Sequence, residues 1–214
     1  MCCWGELPYD PFFFDCFFGR PFFLFFLLAN LLSCTSETNF KYDNPKWEYE
    51  QLSQAVQPGD IILKLGYGKI SRSITKFLKE PIPFSHCAVV SSKTTLIHTI
   101  SGKLVVKDGV QEIELKEFMK DVVPGSLYLL RHKSDLNQRK RIAEYAQIQL
   151  NKNVPFDEEF IHTDSTKLYC SEIVANALIH VYGKPYLNVL RIGENNIYGF
   201  NGLVESPDFE VVMP

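Results

Sequence analysis

The stretch Leu168-Tyr169-Cys170-Ser171-Glu172 leads into a helical pattern late in this chain of 214 residues. Apolar residues then recur at the spacing of one helix face: Cys170, Ile173, Val174, Ala177, Leu178 and Val181. Cys170 therefore falls in the first turn of a predicted helix, on its inward side. The partial positive charge and unpaired N–H groups of a helix N-terminus favour a thiolate there. The position suits either a reactive thiol or a buried core cysteine.

A second stretch, Phe84-Ser85-His86-Cys87-Ala88-Val89-Val90, contains a candidate base. It has the pattern of a strand that begins at His86, and strand side chains alternate between faces. His86 and Cys87 should therefore point to opposite sides of the sheet, and we interpret Cys87 as a core residue. Ala88 shares the face of His86, and its small side chain leaves room for a helix end. A Cys at a helix N-terminus that faces a His on a sheet is the geometry of a thiol nucleophile and its base.

His98 is a candidate for the third group of such a site. It belongs to a predicted strand over 95–100, which the turn 91–94 should place beside the strand of His86. A catalytic imidazole needs a neighbour that holds its tautomer, and His98 is positioned to be that neighbour. We interpret the remaining histidines as structural: His132, His162 and His180.

The predicted elements indicate an α+β fold with a largely antiparallel sheet. In order they are helix 47–54, strand 61–65, helix 70–78, strands 86–90, 95–100, 104–107, 110–115 and 126–131, helix 135–150 and the helix from Cys170, followed by a loop-rich tail. The turn dipeptide Asp108-Gly109 predicts a hairpin between the strands 104–107 and 110–115.

Composition excludes several classes of protein. A hydrophobic content of 46% suits one domain with a core and a leader. A net charge of -3 without a basic run argues against a nucleic-acid partner. Of the six cysteines, only Cys87 and Cys170 lie in the body, and no CxxC motif occurs. We therefore expect no disulfide framework, no metal site and no cofactor.

The leader contains a short apolar run over 21–33 that ends at Cys34. Its length suits the apolar core of a signal peptide better than a membrane span. The sequence Leu31-Leu32-Ser33-Cys34 resembles the bacterial lipobox, in which the cysteine is diacylated, becomes the mature N-terminus and anchors the protein to a membrane. An uncleaved apolar anchor is the alternative. Residues 1–19 are acidic where a signal peptide is basic, which indicates a leader that begins near Gly19.

Three segments together resemble the permuted papain-like amidases of the NlpC superfamily, the YaeF/YiiX group. They are Pro58-Gly59-Asp60-Ile61-Ile62-Leu63, the His86 stretch from Pro83 to Val90, and Pro155-Phe156-Asp157 through Leu168 to Val174. In the unpermuted enzymes the Cys helix comes first, whereas here it comes last. The resemblance covers roughly residues 57–185.

This resemblance implies a circularly permuted papain-like fold, with a mostly antiparallel sheet packed against the helix that carries the nucleophile. It implies that Cys170 is the nucleophile, that His86 is the base and that His98 fills the polar third position, where relatives have Glu, Asn or His. A His there also resembles the lecithin-retinol acyltransferase branch. The Cys170 N–H at the helix start is the expected oxyanion donor.

We therefore predict a membrane-anchored cysteine hydrolase that cleaves an amide bond in cell-wall (peptidoglycan) peptide through a thioester. The flanking segments 65–72 and 153–167 are mostly polar, which favours a polar ligand, and Tyr67, Asp157 and Tyr169 are candidate substrate contacts. The alternatives are a lipid acyltransferase or thioesterase, and a catalytically silent lipoprotein that binds a peptide or an amino acid.

The predicted organisation has three parts. Residues 1–33 are a lipoprotein signal peptide, residues 34–46 are the lipidated Cys34 and a tether, and residues 47–214 are the hydrolase domain. This organisation places the protein in the bacterial cell envelope, facing the periplasm or the cell surface. Its predicted partners are cell-wall peptide or another small amide, and the membrane through the lipid anchor.

Overall fold

The computed structural model describes residues 40–42, 44–161 and 166–214. The predicted signal peptide, Cys34 and His162 lie outside these residues. The helices are α1 (Tyr49–Ala55), α2 (Lys69–Leu78), α3 (Leu115–Met119), α4 (Leu136–Asn151), α5 (Cys170–Tyr182) and α6 (Asn201–Glu205). The strands are β1 (Ile61–Lys64), β2 (His86–Val90), β3 (Thr95–Ile100), β4 (Gly109–Glu114), β5 (Tyr128–His132), β6 (Val189–Ile192), β7 (Asn195–Tyr198) and β8 (Phe209–Val212). Among the described residues, no helix is both long and apolar enough to cross a membrane.

A six-stranded sheet with the order β4-β3-β2-β1-β5-β8 forms the centre of the fold. Each neighbouring pair of strands in it is antiparallel. Strands β6 and β7 form a separate hairpin. The predicted α+β class with a largely antiparallel sheet is therefore confirmed.

The two faces of the sheet carry two separate apolar clusters. Cys87 and Val89 project toward α4 and α5, where they pack with Ile173. Ala88 projects to the other face, among residues of α1 and α3 such as Phe118. The expectation that the Cys helix approaches the Ala88 face is wrong. Strand alternation separates the two faces, but it does not say which of them a distant helix covers.

The connection between β3 and β4 differs from the predicted hairpin. Strand β4 begins at Gly109, which pairs with Ile100 of β3, and residues 101–108 form a loop rather than a strand. Gly109 has a φ of +82°, and a Cβ there would lie 2.2 Å from the Val154 backbone oxygen. The Asp108-Gly109 signal therefore marks the start of β4 and not the turn of a separate hairpin.

Five elements were absent from the sequence prediction: α3, α6, β6, β7 and β8. The tail contributes β8, whose Val212 pairs with Leu129 of β5. The helix α3 covers the sheet with Leu115 and Phe118, which are both fully buried. Each element is short, so its apolar pattern spans too few residues to show a period.

The start of α5 follows from its local sequence. Tyr169 has extended backbone angles and acts as the N-cap, and its N–H donates to Glu172 Oε2 at 3.4 Å. Gly183 ends the helix in a left-handed conformation, and its N–H donates to the Ile179 oxygen at 2.8 Å. The predicted start of a helix at Cys170 is confirmed.

One end of the sheet brings together most of the residues that matter for function, and we call it the site end. Lys64 at the end of β1 pairs with His86 at the start of β2. The antiparallel registers place Ile100, Gly109 and Tyr128 at this same end. The loops that follow β1 and β3 therefore leave the sheet beside the predicted site.

Part of the predicted tether contacts the body at the site end. The Tyr42 hydroxyl donates to the backbone oxygen of Pro83, just before β2. The Asn44 side-chain amide donates to the Leu127 oxygen at 2.5 Å, just before β5. The described chain therefore begins next to the predicted site.

Candidate active site

Cys170 is the first residue of α5, and it remains partly accessible to solvent. The hydrogen bond with the Cys87 thiol is the largest influence that lowers the pKa of the Cys170 thiol, followed by the hydrogen bond and charge of His86. The Ser171 N–H contributes in the same direction, and burial opposes all three. The pKa of Cys170 is held well below its usual range, so the thiolate is favoured at neutral pH.

Cys87 lies directly against Cys170. Its sulfur is 2.9 Å from the Cys170 backbone oxygen and also within hydrogen-bonding reach of the Cys170 sulfur. The single S–H proton donates to the backbone oxygen when Cys170 is a thiol and to the sulfur when Cys170 is a thiolate. Burial, followed by the hydrogen bond and charge of Cys170, raises the pKa of the Cys87 thiol. Cys87 thus stays protonated as a donor while Cys170 ionises, because only Cys170 also contacts His86 and a helix N-terminus.

The buried position predicted for Cys87 is confirmed, but its contact with Cys170 was missed. Strand alternation rules out Cys87 as a partner of His86, and no other partner was expected for it. The contact could have been suspected from the sequence, because Cys87 directly follows the candidate base His86 and points to the opposite face of the strand. That face is the one that α5 covers.

His86 and His98 form a hydrogen-bonded pair. His86 Nε2 and His98 Nδ1 are 2.8 Å apart, and the ring centroids are separated by 5.1 Å. Burial, the charge of His86 and the charge of Lys64 lower the pKa of His98 to about 2. His98 is therefore neutral. When His86 carries a proton on both ring nitrogens, its Nε2–H donates to His98 Nδ1 and its other N–H is available to Cys170.

Two further residues support this pair from the same face of the sheet. The Phe118 ring centroid lies 5.6 Å from that of His86 and 6.2 Å from that of His98. Lys64 Nζ lies 4.0 Å from the centroid of the Phe118 ring and donates to the Phe118 oxygen at 2.8 Å and to Asp121 at 2.5 Å. Burial lowers the pKa of Lys64, and Asp121 opposes this. The sequence signal for Lys64 was a cation in an otherwise apolar strand.

The three candidate substrate contacts lie in different environments. Tyr67 is exposed at the site end, in the loop between β1 and α2. Asp157 is buried, and its carboxylate accepts the N–H groups of Glu159 at 2.9 Å and Ile161 at 2.5 Å. Tyr169 is also buried, and its hydroxyl accepts the Tyr198 N–H at 3.0 Å. Asp157 and Tyr169 thus accept backbone N–H groups within the fold, and substrate contact by Tyr67, Asp157 and Tyr169 stays a prediction.

The other described histidines lie away from this pair. His132 stacks on Tyr182 with centroids 3.9 Å apart, which fits the structural role predicted for it, and His180 is exposed late in α5. In the part of the chain that the structure describes, no group of three or more His, Cys, Asp and Glu side chains is placed to hold a metal ion.

The antiparallel sheet and a Cys helix that follows the two His strands in the chain define the class of permuted papain-like cysteine hydrolases. A family described as permuted papain-like amidase enzyme, YaeF/YiiX, C92 family, matches residues 55–197. The chain belongs to this family. The predicted family, fold and enzyme class are confirmed.

Among solved structures, the chain is similar to the crystal structure of the metalloprotein yiiX from Escherichia coli O157:H7. The two chains are 17% identical, and the match covers 73% of this chain and 96% of the other, with a TM-score of 0.60. This likeness supports the fold. A comparison with curated proteins found no match.

The contact between the two thiols leads to a testable expectation. We expect Cys87→Ala to raise the pKa of Cys170, because a hydrogen-bond donor to the thiolate is lost. A hydrogen bond to a charged group is worth about 1.5–3 kcal/mol, or roughly 1–2 pH units. The alkylation rate of Cys170 by iodoacetamide is measured by mass spectrometry at a series of pH values. The pH at which this rate is half-maximal should be higher in Cys87→Ala than in the unsubstituted protein. Cys87→Ser, which keeps a donor, should move it less, and an unchanged midpoint in both variants would contradict the assignment.

Proposed function

We propose that the chain is a cysteine amidase in which Cys170 is the nucleophile, His86 the proton shuttle and His98 the group that orients His86. The observation that carries this proposal is the 2.8 Å bond between His98 and His86, together with the hydrogen bond between His86 and the Cys170 thiol. Such a chain of contacts is what an activated thiol nucleophile requires.

The proposed reaction starts with attack of the Cys170 thiolate on the carbonyl carbon of the substrate amide. Negative charge then develops on the carbonyl oxygen. The N–H groups of the first helical turn have no partner within their helix, so the Cys170 N–H is the proposed oxyanion donor. His86 carries the proton at this stage and forms an ion pair with the thiolate before the attack.

Collapse of the tetrahedral intermediate breaks the C–N bond. His86 gives its proton to the departing amine nitrogen, and the acyl group stays on Cys170 as a thioester. His86, now neutral, takes a proton from a water molecule, and the resulting hydroxide attacks the thioester carbon. The C–S bond breaks, the carboxylic acid leaves and Cys170 returns to the thiolate, paired with protonated His86.

The proposed substrate is a cell-wall peptide. Two features support this substrate. A lipid on Cys34 would hold the protein in the cell envelope, and the segment 65–72 at the site end is mostly polar. That segment offers Tyr67, Lys69 and Arg72, and the side chains of all three are exposed. Cationic and hydroxyl groups suit a ligand with carboxylate termini and peptide carbonyls better than an acyl chain.

The test of this function compares two classes of substrate. We expect the purified protein to cleave synthetic wall stem peptides, as measured by the appearance of new amino groups, and we expect Cys170→Ala to abolish cleavage. Phospholipids and acyl thioesters should release no acyl chains. Cys170-dependent acyl release with intact stem peptides would select the lipid enzyme. Peptide binding that persists in Cys170→Ala, with no turnover by either protein, would select the silent binding protein.

Lipidation is proposed at Cys34, with residues 34–46 joining the lipid to the hydrolase domain over 47–214. We expect radiolabelled palmitate to enter the protein in bacterial cells, because the apolar run 21–33 ends in a lipobox-like sequence. Cys34→Ala should abolish the label, and the mature mass of the unsubstituted protein should lack residues 1–33. Label that persists in Cys34→Ala would contradict lipidation at this residue.

A further inference from the structure

The loop between β3 and β4 presents apolar side chains to solvent at the site end. Val106 is fully exposed, and Leu104 and Val105 are 48% and 38% exposed. Lys103 and Lys107 flank this triplet, and both are exposed. Three consecutive apolar residues at the tip of a loop contribute nothing to the core, which is why such patches mark interaction sites.

Helix α2 also combines apolar and basic side chains. Ile70, Ile74, Phe77 and Leu78 lie on one face, and Lys69, Arg72 and Lys76 lie on the opposite face. Phe77 and Leu78 are partly buried and pack against the core, whereas Ile70, near the start of the helix, is 49% exposed. Six of its ten residues are polar and four are apolar. The exposed part of its apolar face is therefore the end that carries Ile70, and an exposed apolar side chain next to basic residues is typical of helix ends that contact a membrane interface.

The topology places these two elements at one end of the molecule. Helix α2 follows the end of β1, and the loop follows the end of β3; both strand ends belong to the site end. Other exposed apolar residues lie there too: Phe40, Tyr67 and Met213. The contact between Tyr42 and Pro83 and the pairing of Val212 with Leu129 place Tyr42 and Val212 at the site end.

The side chains at the site end carry more positive than negative charge. Asp121 pairs with Lys64, and Glu158 accepts from Ser101 at 2.5 Å and pairs with Lys103 at 3.2 Å, so these two pairs carry no net charge. Asp108, which accepts the Gly102 N–H at 2.6 Å, and exposed Glu159 add negative charge. The other exposed cations are Lys41, Lys69, Arg72 and Lys107, so positive charge is in excess. A surface that mixes apolar tips with lysines is complementary to anionic lipid headgroups above an acyl layer.

We propose that the site end docks on the surface of an anionic phospholipid bilayer, with Ile70 of α2 and the loop tip Leu104–Val106 inserted at the interface. The predicted lipid on Cys34 agrees with this orientation. Cys34 precedes Phe40 by six residues in sequence, and six extended residues span at most roughly 20 Å. Docking brings Cys170 close to material at the membrane surface, and it does not depend on whether Cys170 is catalytic.

The test measures how deeply single tryptophans enter a bilayer. The full-length protein carrying Val106→Trp or Ile70→Trp is reconstituted in vesicles of phosphatidylglycerol and phosphatidylcholine, with or without brominated acyl chains. Bromine quenches only tryptophans at the acyl boundary, so we expect about a twofold loss of emission at both positions. Ile179→Trp is the control, because it is exposed on α5 far from the helix start. The unsubstituted protein supplies the background, including buried Trp47.

A charge reversal tests the headgroup contact. In the Val106→Trp protein, Lys103→Glu with Lys107→Glu should remove most of the quenching, whereas Lys140→Glu with Arg141→Glu on α4 should not. Cys170→Ala should leave quenching unchanged, which separates docking from the amidase proposal. Equal emission with and without bromine at positions 70 and 106, or equal quenching at position 179, would overturn the proposal.

Discussion

Loss of the His86 imidazole should lower kcat/KM for amide cleavage by roughly 100- to 10,000-fold. His86 is the residue that contacts both the Cys170 thiol and His98. Without it, the thiolate loses its positive partner and the departing amine loses its proton source. The substitution His86→Ala is measured by steady-state kinetics on the cleaved peptide, and Cys170→Ala should leave no measurable turnover.

The same substitution should be visible without any substrate. Near neutral pH, iodoacetamide should label Cys170 much faster than Cys87, because the pKa of Cys170 is lowered and that of Cys87 is raised. His86→Ala should remove most of this advantage by raising the pKa of Cys170. His180→Ala serves as the control, since His180 is exposed near the other end of α5. Equal, slow labelling of both thiols in the unsubstituted protein would mark Cys170 as a core residue.

The second large effect is expected at His98. His98→Ala should lower kcat by roughly 100-fold or more, because His86 then loses the acceptor that holds its Nε2–H. His98→Asn and His98→Glu should keep part of the activity, since each restores an acceptor near His86 Nε2. The split between kcat and KM distinguishes orientation of the base from substrate binding: a positioning residue changes kcat and leaves KM near its original value.

A structural role for His98 would give a different result. His98 is buried and neutral, so its replacement by Asn costs little desolvation, and the free energy of unfolding should change by less than about 1–2 kcal/mol. Chemical denaturation of the His98→Asn and His98→Ala proteins measures this change in the free energy of unfolding. A loss of several kcal/mol with normal residual turnover would mean that His98 supports the fold rather than the base.

The local parts of the fold could be predicted from the sequence. The start of α5 at Cys170 depends on apolar periodicity and on capping within a few residues. The strands of His86 and His98 were predicted with their observed bounds, because a short turn joins two apolar runs. Residues 104–107 of the loop between β3 and β4 were mistaken for a strand, because Leu104-Val105-Val106 has strand propensity but no partner strand in the sheet.

By itself, the sequence determined that a cysteine begins an amphipathic helix and that two histidines lie on neighbouring strands, since neighbouring residues decide such features. Only the tertiary structure decided which face of the sheet α5 covers. That choice brought Cys87 against Cys170 and left Lys64 and Phe118 beside the histidines. Alternation along a strand gives relative orientation only, whereas the face that is covered depends on how the apolar surfaces of distant helices are best buried together.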